Sequence, residues 1–337
     1  GRTAMTIRSP ASPQRRHIIQ SAAVALSSLA FGINPAAAAR FTDGVVKIMV
    51  GFPPGGSGDT FARIFANALR EELGNPIIIE NKPGAGGLTV ALTFLHGPKD
   101  GSQLMMATGS TAVSAPISHA NPPYNPVTDF QWIALLSNAP FVIAVNPNLP
   151  FTDLKGLVAY AKAHPNKLSY GHAGLGTTVH LAGELFKSIA GIDVADIAYK
   201  GSAGAIVASL AGEVQMVIET SGTLMPYQKS GKLRIITTMA EARERNLPDV
   251  PTSREAGYDL IAGTANLLAA PLGTPRDVTD PISLAVNRTM ARPAIQAQLT
   301  QLGIEPVLKS SPAQAQAFVA AEVARWTPLV KKLGIAL

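Results

Sequence analysis

The stretch VVKIMVGFPPGGSGDTFARIF, residues 45–65, joins an apolar run to a turn rich in glycine and proline and then to an amphipathic segment. In that segment Phe61, Ile64, Phe65 and Leu69 recur at steps of three and four residues, the period of a helix with one buried face. Strand, turn and helix in this order are the repeating unit of an α/β fold with parallel strands. The first helix is predicted over residues 60–73.

The same alternation continues along the chain, and Gly, Pro, Asn or Asp marks each change of period. Strands are predicted at residues 45–52, 76–80, 103–108, 141–145, 168–172, 196–200, 214–219 and 233–238. Helices are predicted at residues 60–73, 89–96, 154–163, 178–190, 203–211 and 224–230. A further helix is predicted to begin at Pro312 with Ser311 as its cap. The predicted class is α/β, with parallel-rich sheets flanked by helices.

Two stretches interrupt the alternation and indicate where the chain crosses between lobes. In residues 129–150 two apolar runs follow each other without a helix, and in residues 263–275 another strand precedes a long helical tail. The prediction is one lobe from residues 40–141 and 266–337 and a second from residues 142–265.

The N-terminal segment has the plan of a secretory signal peptide. Met5 is the expected natural start, basic residues precede an apolar run at 18–33, and small residues offer cleavage near Ala38 or Ala39. A membrane anchor is the alternative, but the apolar run is too short to span a bilayer. Residues 1–39 are therefore predicted to be removed on export to the periplasm, by the Sec or the twin-arginine route.

Without that segment the chain is nearly neutral, because the segment holds four basic residues and no acidic ones. The remainder carries 24 Lys and Arg against 22 Asp and Glu. No basic cluster with interleaved aromatic residues remains, which argues against a nucleic-acid partner. The chain contains no cysteine, which excludes disulfide bonds and thiolate metal sites.

Five predicted strands end in small, turn-forming residues, at 52–59, 81–87, 107–111, 171–178 and 199–205. Glycine lets a ligand approach the main chain, and the first amides of a helix have no partner within the helix. Such loops can hold a carboxylate or phosphate. Because ligands of open α/β sheets lie beyond the carboxyl ends of strands, the loops are expected to converge on a cleft.

Individual polar residues in these loops have competing interpretations. Asp59 is either the cap of the first helix or a pocket residue that accepts a hydrogen bond from a ligand. Thr177 and Thr178 are favoured for the main carboxylate contact. His180 is predicted to form a surface pair with Glu184 four residues later, and a ligand contact is the less favoured alternative. Glu219 is either a ligand contact or an ordinary charge at a strand end.

Common catalytic and nucleotide-binding motifs are absent from the sequence. Neither G-x-G-x-x-G nor G-x-x-x-x-G-K-[ST] occurs, no G-x-S-x-G surrounds a serine, and His172 and His180 lack H-E-x-x-H spacing. No catalytic residue, metal site or cofactor is predicted. A loop set rich in backbone donors and poor in catalytic side chains indicates a binding protein.

The sequence resembles the solute receptors of tripartite tricarboxylate transporters, also called Bug proteins. The resemblance runs from VVKIMVGFPPGGSGDTFAR through IIIENKPGAGG, KLSYGHAGLGTTVHLAGELFKSIAG and AYKGSAGAIVASLAGEVQ to LPDVPTSREAGY and APLGTP. It implies a two-lobed, type II-like periplasmic-binding-protein fold with a ligand cleft between the lobes. It also implies a receptor that closes by a hinge on a small carboxylate and delivers it to large and small multispanning membrane subunits. The chain is expected to act as a monomer.

The resemblance carries the ligand contacts of the family to the loops at 52–59, 171–178 and 199–205, the loop at 107–111 adds Ser110, and the strand end adds Glu219. The expected ligand-binding residues are Phe52, Gly55, Gly56, Ser57, Asp59, Ser110, Gly176, Thr177, Thr178, Gly201, Ser202 and Glu219.

Two departures from the family pattern bear on the ligand. Ala265 and Asn266 stand where relatives have an aromatic pair, and Glu219-Thr220 stands where they tend to have Asp-Asn. A missing ring reshapes the pocket, and the acid favours a ligand with a hydrogen-bond donor. Di- and tricarboxylates, aromatic acids and acidic amino acids remain open.

Two other functions stay open from sequence alone. One is a ligand sensor for a membrane signalling partner. The other is an exported hydrolase or isomerase that uses the strand-end acids Asp59, Glu80 and Glu219.

Overall fold

The computed structural model describes residues 44–337. The predicted signal peptide at residues 1–39 lies outside the described residues. Ten strands alternate with helices along the described part of the chain. The strands are β1 (Val46–Val50), β2 (Ile77–Asn81), β3 (Gln103–Thr108), β4 (Phe130–Val145), β5 (Ser169–His172), β6 (Ala195–Ala198), β7 (Met216–Thr220), β8 (Arg234–Thr238), β9 (Gly263–Pro271) and β10 (Glu305–Pro306).

The helices connect and flank these strands, and short 3₁₀ and π turns lie at Ala85–Gly87 and Ser110–Ser114. The helices are α1 (Ser57–Leu73), α2 (Leu88–Phe94), α3 (Ala115–Ile117), α4 (Leu154–Ala163), α5 (Thr178–Ala190), α6 (Ser202–Ala211), α7 (Ser221–Lys229), α8 (Arg276–Ala291), α9 (Pro293–Gln301) and α10 (Pro312–Lys332). Among residues 44–337, none of the helices is long and apolar enough to span a membrane.

The strands form two sheets that share β4. In the first sheet β2, β1 and β3 are parallel, β9 is antiparallel to β3, and β4 is antiparallel to β9. In the second sheet β7 and β8 are antiparallel to the end of β4, and β5 is parallel to both β7 and β6. The predicted parallel pairing thus holds where strand and helix alternate, and the antiparallel pairs involve β4 and β9.

Strand β4 changes partners near its middle. Pro140 is paired with Gly263 of β9, whereas Phe141 is paired with Thr220 of β7. The two apolar runs at residues 129–150, one of them predicted as the strand 141–145, therefore form one strand of 16 residues. Apolar residues of β4 are buried in both sheets. The two runs therefore belong to one strand, and no helix separates them.

Helix α1 packs its apolar stripe against the first sheet, since Phe61, Phe65 and Leu69 are fully buried beside β1 and β3. Helix α8 returns to the same side of the sheet and packs beside α1, where its Arg288 forms an ion pair with Glu72 of α1 at 2.8 Å. Helix α10 begins at Pro312 with Ser311 as its cap, and a full capping box with Gln314 confirms that prediction.

Helix boundaries agree with the sequence prediction at α4 and α5 and differ at α1. Helix α1 begins at Ser57 and not at Thr60, and Gly56 precedes it without a side-chain cap. The prediction of Asp59 as the helix cap is therefore wrong: Asp59 lies inside the first turn. Glycines and a serine before the apolar stripe gave no periodic signal, although they take helical geometry here.

Candidate functional site

A cleft lies where β1, β3, β5 and β7 end and where α1, α5 and α6 begin. Eight of the residues expected from sequence line it: Phe52, Gly56, Ser57, Ser110, Thr178, Gly201, Ser202 and Glu219. Four others do not line it: Gly55, Asp59, Gly176 and Thr177. The cleft is thus built from loops of both sheets, at the carboxyl ends of their strands.

Two helix N-termini approach each other across this cleft. Ser57 and Gly58 open α1 on the first sheet, and Ser202 and Ala203 open α6 on the second. Their amides belong to the first turn, where the helix supplies no acceptor, and both helix dipoles direct positive charge at the cleft. This arrangement stabilises a negatively charged group between the helices.

The loops that carry these helices touch at the rim. Gly201 has a φ of 96°, and a Cβ at this position would lie 3.1 Å from Cδ of Pro53. Glycine is required both for this backbone conformation and for the close approach of the two loops.

Glu219 lies at the end of β7, between the two helix starts, and is buried. Burial raises the pKa of its carboxyl group. Hydrogen bonds from the Ser202 hydroxyl, the Thr220 amide at 2.8 Å and the Ser57 hydroxyl partly offset this rise. The protein's own carboxyl group therefore already occupies part of the anion-stabilising region.

Ser110 and Thr178 join the two sheets on another side of the cleft. The Thr178 amide donates to Ser110 Oγ at 3.1 Å, and the two hydroxyl oxygens are 3.2 Å apart. Thr108 and Thr264 add two further hydroxyl groups to the lining. This hydroxyl-rich wall can donate to a ligand oxygen without carrying a charge.

Asp59 is buried behind the loop at 52–59 and holds it in place through hydrogen bonds. Its carboxylate accepts hydrogen bonds from Arg63 at 2.9 Å, from Asn81 Nδ2 at 2.8 Å and from the Gly55 amide at 3.0 Å. Although burial opposes ionisation, these hydrogen bonds prevail and hold the pKa of Asp59 below its usual value. The Gly55 amide is thus bound to the Asp59 carboxylate and is not directed at the cleft.

The turn before α5 is likewise occupied by internal contacts. The Thr177 hydroxyl donates to the Gly174 carbonyl at 2.6 Å and accepts from the His180 amide, as an N-cap does. The Gly176 amide donates to Nδ1 of His180 at 3.2 Å.

The prediction of a surface pair between His180 and Glu184 is wrong. His180 is buried and its ring stacks on His172, with ring centroids 4.7 Å apart. Glu184 instead accepts hydrogen bonds from Tyr170 at 3.0 Å and from Lys187 at 2.9 Å. The i,i+4 spacing alone could not reveal that this face of α5 packs against β5.

The cleft is small and is lined by one basic and one acidic side chain. Its free volume is about 50 Å³, which is room for only a few water molecules. Among its lining residues, Lys200 is the one basic side chain and Glu219 the one acidic side chain. Lys200 is exposed, whereas Glu219 is buried, so the positive charge lies nearer to solvent.

The three strand-end acids have separate partners. Glu80 forms ion pairs with Lys82 at 3.1 Å and with Lys47 at 3.9 Å, away from the partners of Asp59 and Glu219. A second and larger groove of about 740 Å³ runs between residues 239–246 and α10. Two of its charged side chains, Arg325 and Glu322, form an ion pair at 3.3 Å, and its described lining contains no comparable pair of helix starts.

Several cleft residues were not singled out from the sequence: Pro53, Gly58, Thr108, Phe141, Ala173, Val179, Lys200, Ala203 and Thr264. Thr108, Lys200 and Ala203 lie in glycine-rich loops that the sequence analysis had marked. Phe141 and Thr264 reach the cleft from β4 and β9, through long-range pairing that local sequence does not encode.

Comparison with known proteins identifies the family. The model for the tripartite tricarboxylate transporter family receptor, TctC, matches residues 61–335. The chain belongs to the TctC family. Members of this family are solute-binding receptors, and the family resemblance seen in the sequence is confirmed.

Relatives of this TctC receptor match over almost the whole chain. A UPF0065 protein in the gbd 5′ region of Cupriavidus necator is 33% identical over 330 residues, 96% of this chain and 99% of its own. BugT of Bordetella pertussis is 30% identical over 305 residues, 90% of this chain and 93% of its own.

Solved structures confirm the α/β periplasmic-binding-protein fold of this TctC receptor. The periplasmic binding protein BugD has a TM-score of 0.83 at 31% identity, covering 88% of this chain and 99% of its own. An R. palustris protein with adipate has a TM-score of 0.84 at 30% identity, covering 87% and 98%. MatC from Rhodopseudomonas palustris with bound malate has a TM-score of 0.81 at 30% identity, covering 85% and 98%.

Proposed function

We propose that this TctC receptor binds a small organic carboxylate in the cleft and delivers it to the large and small multispanning subunits of a tripartite tricarboxylate-type transporter. The observation that carries the proposal is the pair of helix starts, α1 and α6, that open on the cleft from the two sheets. Structures of relatives at 30% identity contain adipate and malate, which are both dicarboxylates.

The proposal includes closure of two lobes around the ligand, with boundaries at residues 40–141 and 266–337 for one and 142–265 for the other. It is supported by the two sheets that share β4 and by the contact between the loops of Pro53 and Gly201. With only about 50 Å³ free, the cleft has to open before a carboxylate can enter.

Export to the periplasm as a monomer, with cleavage of a signal peptide near Ala38 or Ala39, is part of the same proposal. The location is supported by the family match and by the similarity to BugD, a periplasmic binding protein. Mass spectrometry of the periplasmic protein is expected to give a chain that begins within a few residues of Arg40. Intact residues 1–39 on the periplasmic protein would contradict the processing step.

Glu219 favours a ligand that carries a hydrogen-bond donor. A buried carboxyl group beside the ligand repels a second anionic group but accepts from a hydroxyl or an ammonium group. A hydroxy acid or an amino acid therefore fits this cleft better than an acid without a donor.

Calorimetric titration with adipate, malate, aspartate and benzoate tests the receptor function. One of these acids is expected to bind at one molecule per chain and to be recovered chemically unchanged. The protein is first checked for bound ligand by mass spectrometry of a denatured sample. Flat traces for all four acids with ligand-free protein, or conversion of an acid to a product, would contradict the proposal.

The Glu219→Gln variant tests the ligand class separately. It is expected to weaken malate or aspartate binding by about fivefold or more while leaving adipate unchanged or tighter, since one charged hydrogen bond is lost. Glu213→Gln removes an exposed acid and is the matched control. An equal effect of Glu219→Gln on acids with and without a donor would refute the donor preference and leave the receptor function standing.

A further inference from the structure

Behind the turn at Gly174–Thr178, three side chains with metal-ligating atoms meet: His172 of β5, His180 of α5 and Asp196 of β6. One ligand atom of each lies within 4.8 Å of the others. We propose that these three residues bind a divalent transition-metal ion such as Zn²⁺, through Nε2 of each histidine and a carboxylate oxygen of Asp196. No metal site was predicted from the sequence, because Asp196 reaches the histidines only through the pairing of β5 with β6.

The separations between these atoms suit a shared ion better than direct hydrogen bonds. Oδ2 of Asp196 lies 3.5 Å from Nε2 of His172 and 3.9 Å from Nε2 of His180. Hydrogen bonds between such atoms are usually about 2.7–3.2 Å long. Zinc bonds of about 2.0–2.2 Å in a tetrahedron put neighbouring ligand atoms roughly 3.4 Å apart, so small side-chain shifts complete the site.

His172 has the environment of a metal ligand. Its Nε2 is buried and has no hydrogen-bond partner among residues 44–337. Its Nδ1 lies 3.0 Å from the Gly174 carbonyl oxygen and 3.3 Å from the Gly174 amide nitrogen, and the Nε2 lone pair is available when the ring proton is on Nδ1. Metal-ligating histidines typically donate their second ring N–H to a carbonyl or carboxylate in this way. A coordinated ion would satisfy an otherwise unpaired buried nitrogen.

Charge and access also favour a cation. Glu184 and Lys187 close to the rings form an ion pair with each other at 2.9 Å, whereas Asp196 faces the two histidines. Asp196 is on the exposed strand β6, where an ion can reach it from solvent.

Coordination by His180 has a structural consequence. The Gly176 amide donates to Nδ1 of His180, so the neutral ring carries its proton on Nε2. An ion at Nε2 moves that proton to Nδ1, and the Gly176 hydrogen bond is lost. Gly174 and Gly176, with φ of 127° and 73°, give the turn the freedom to adjust. Metal binding is thus linked to the turn that leads to Thr178 in the cleft.

Zinc titration of the full chain without a carboxylate ligand tests the site. Wild-type protein is expected to bind one Zn²⁺ that His172→Asn and Asp196→Asn each weaken at least tenfold. Asn at residue 172 keeps a donor for the Gly174 carbonyl, and Asp196 is half-exposed, so both variants are expected to fold, as circular dichroism can verify. His164→Asn and Asp193→Asn replace exposed residues outside the site and are the matched controls, expected to bind as the wild type does.

Hydrogen exchange provides a second measurement. Exchange of the Gly176 amide is expected to accelerate when Zn²⁺ is added to the wild type but not to Asp196→Asn. The proposal is overturned if the folded His172→Asn and Asp196→Asn variants bind as many zinc ions as tightly as the wild type. It is equally overturned if the wild type binds no zinc.

Discussion

Ser110 and Thr178 are 68 positions apart in the chain, yet the Thr178 amide donates to Ser110 Oγ at 3.1 Å. Both residues are buried, so Ser110 is the acceptor that the first turn of α5 requires. The pair connects the end of β3 in the first sheet with the start of α5 beside the second.

Ser110→Ala is expected to reduce the free energy of unfolding by about 1–3 kcal/mol, because it leaves the buried Thr178 amide without an acceptor. Urea unfolding followed by circular dichroism measures the change. Ser230→Ala, at an exposed serine, is the control and is expected to change stability by less than about 0.5 kcal/mol. Equal stability of the two variants would mean that the Ser110 contact contributes nothing.

Asp59→Asn is expected to destabilise the protein by about 2 kcal/mol at pH 7, since hydrogen bonds to a carboxylate are lost. The folded-state pKa of Asp59 lies below its ordinary value of 3.8. Its stabilising effect is therefore complete above that pH and is lost as the pH falls through the lowered value. The unfolding free energies of the wild type and of Asp59→Asn are expected to converge in acid, as urea unfolding at several pH values can measure.

Asp280→Asn removes an exposed carboxylate of α8 and is the control for that series. A stability difference between wild type and Asp59→Asn that stays constant from pH 7 into strong acid would contradict the assigned role.

Glu219→Gln is expected to have the opposite effect on stability. Burial raises the pKa of Glu219 above its ordinary value of 4.5 in the folded state, so the wild type loses stability as the pH rises from 4.5 through the raised value. The variant has no such loss and is expected to be more stable at neutral pH and to approach the wild type in acid. Thermal unfolding across this pH range measures how the stability difference changes. A variant that is less stable than the wild type at neutral pH would contradict the prediction.

Gly222→Ala is expected to destabilise the protein by about 3 kcal/mol or more, or to prevent folding. A Cβ at Gly222 in α7 would collide with the carbonyl group of Leu302, after α9. Gly44 has open space around its α-carbon, so Gly44→Ala is the control with little expected effect. Soluble yield and unfolding temperature of the two variants give the comparison.

Lys200→Met is expected to weaken binding of an anionic ligand by less than about tenfold and to reduce the salt dependence of binding. Lys200 is exposed at the cleft, so its attraction is screened by salt. Titrations at low and high salt measure both effects, and Lys167→Met at an exposed lysine is the control. An unchanged salt dependence would show that Lys200 does not act on the ligand.

Local patterns in the sequence were sufficient for much of the fold. The bounds of α4 and α5 were predicted correctly because an N-cap residue precedes an apolar stripe at each. The start of α1 was missed because its first turn, Ser57 to Asp59, has low helix propensity and forms through contacts with Asn81 and Arg63.

The candidate site was predicted in part for a related reason. Glycine-rich strand ends identified the loops, but not which amides within each loop were already used. Gly55 and Gly176 donate to Asp59 and His180, respectively, and only the folded chain reveals these acceptors. Phe141 and Thr264 come from strands whose register depends on the whole sheet.

Pro140 marks the point where β4 passes from one sheet to the other. Proline has no backbone N–H, so the ladder has one donor fewer at the place where its partner changes. In the proposed closure of the lobes, the two sheets would reorient by twisting this continuous strand, and no amide proton at Pro140 would lose its acceptor. A hinge made of a continuous strand would resist twisting and return to its resting angle, whereas a flexible loop would not.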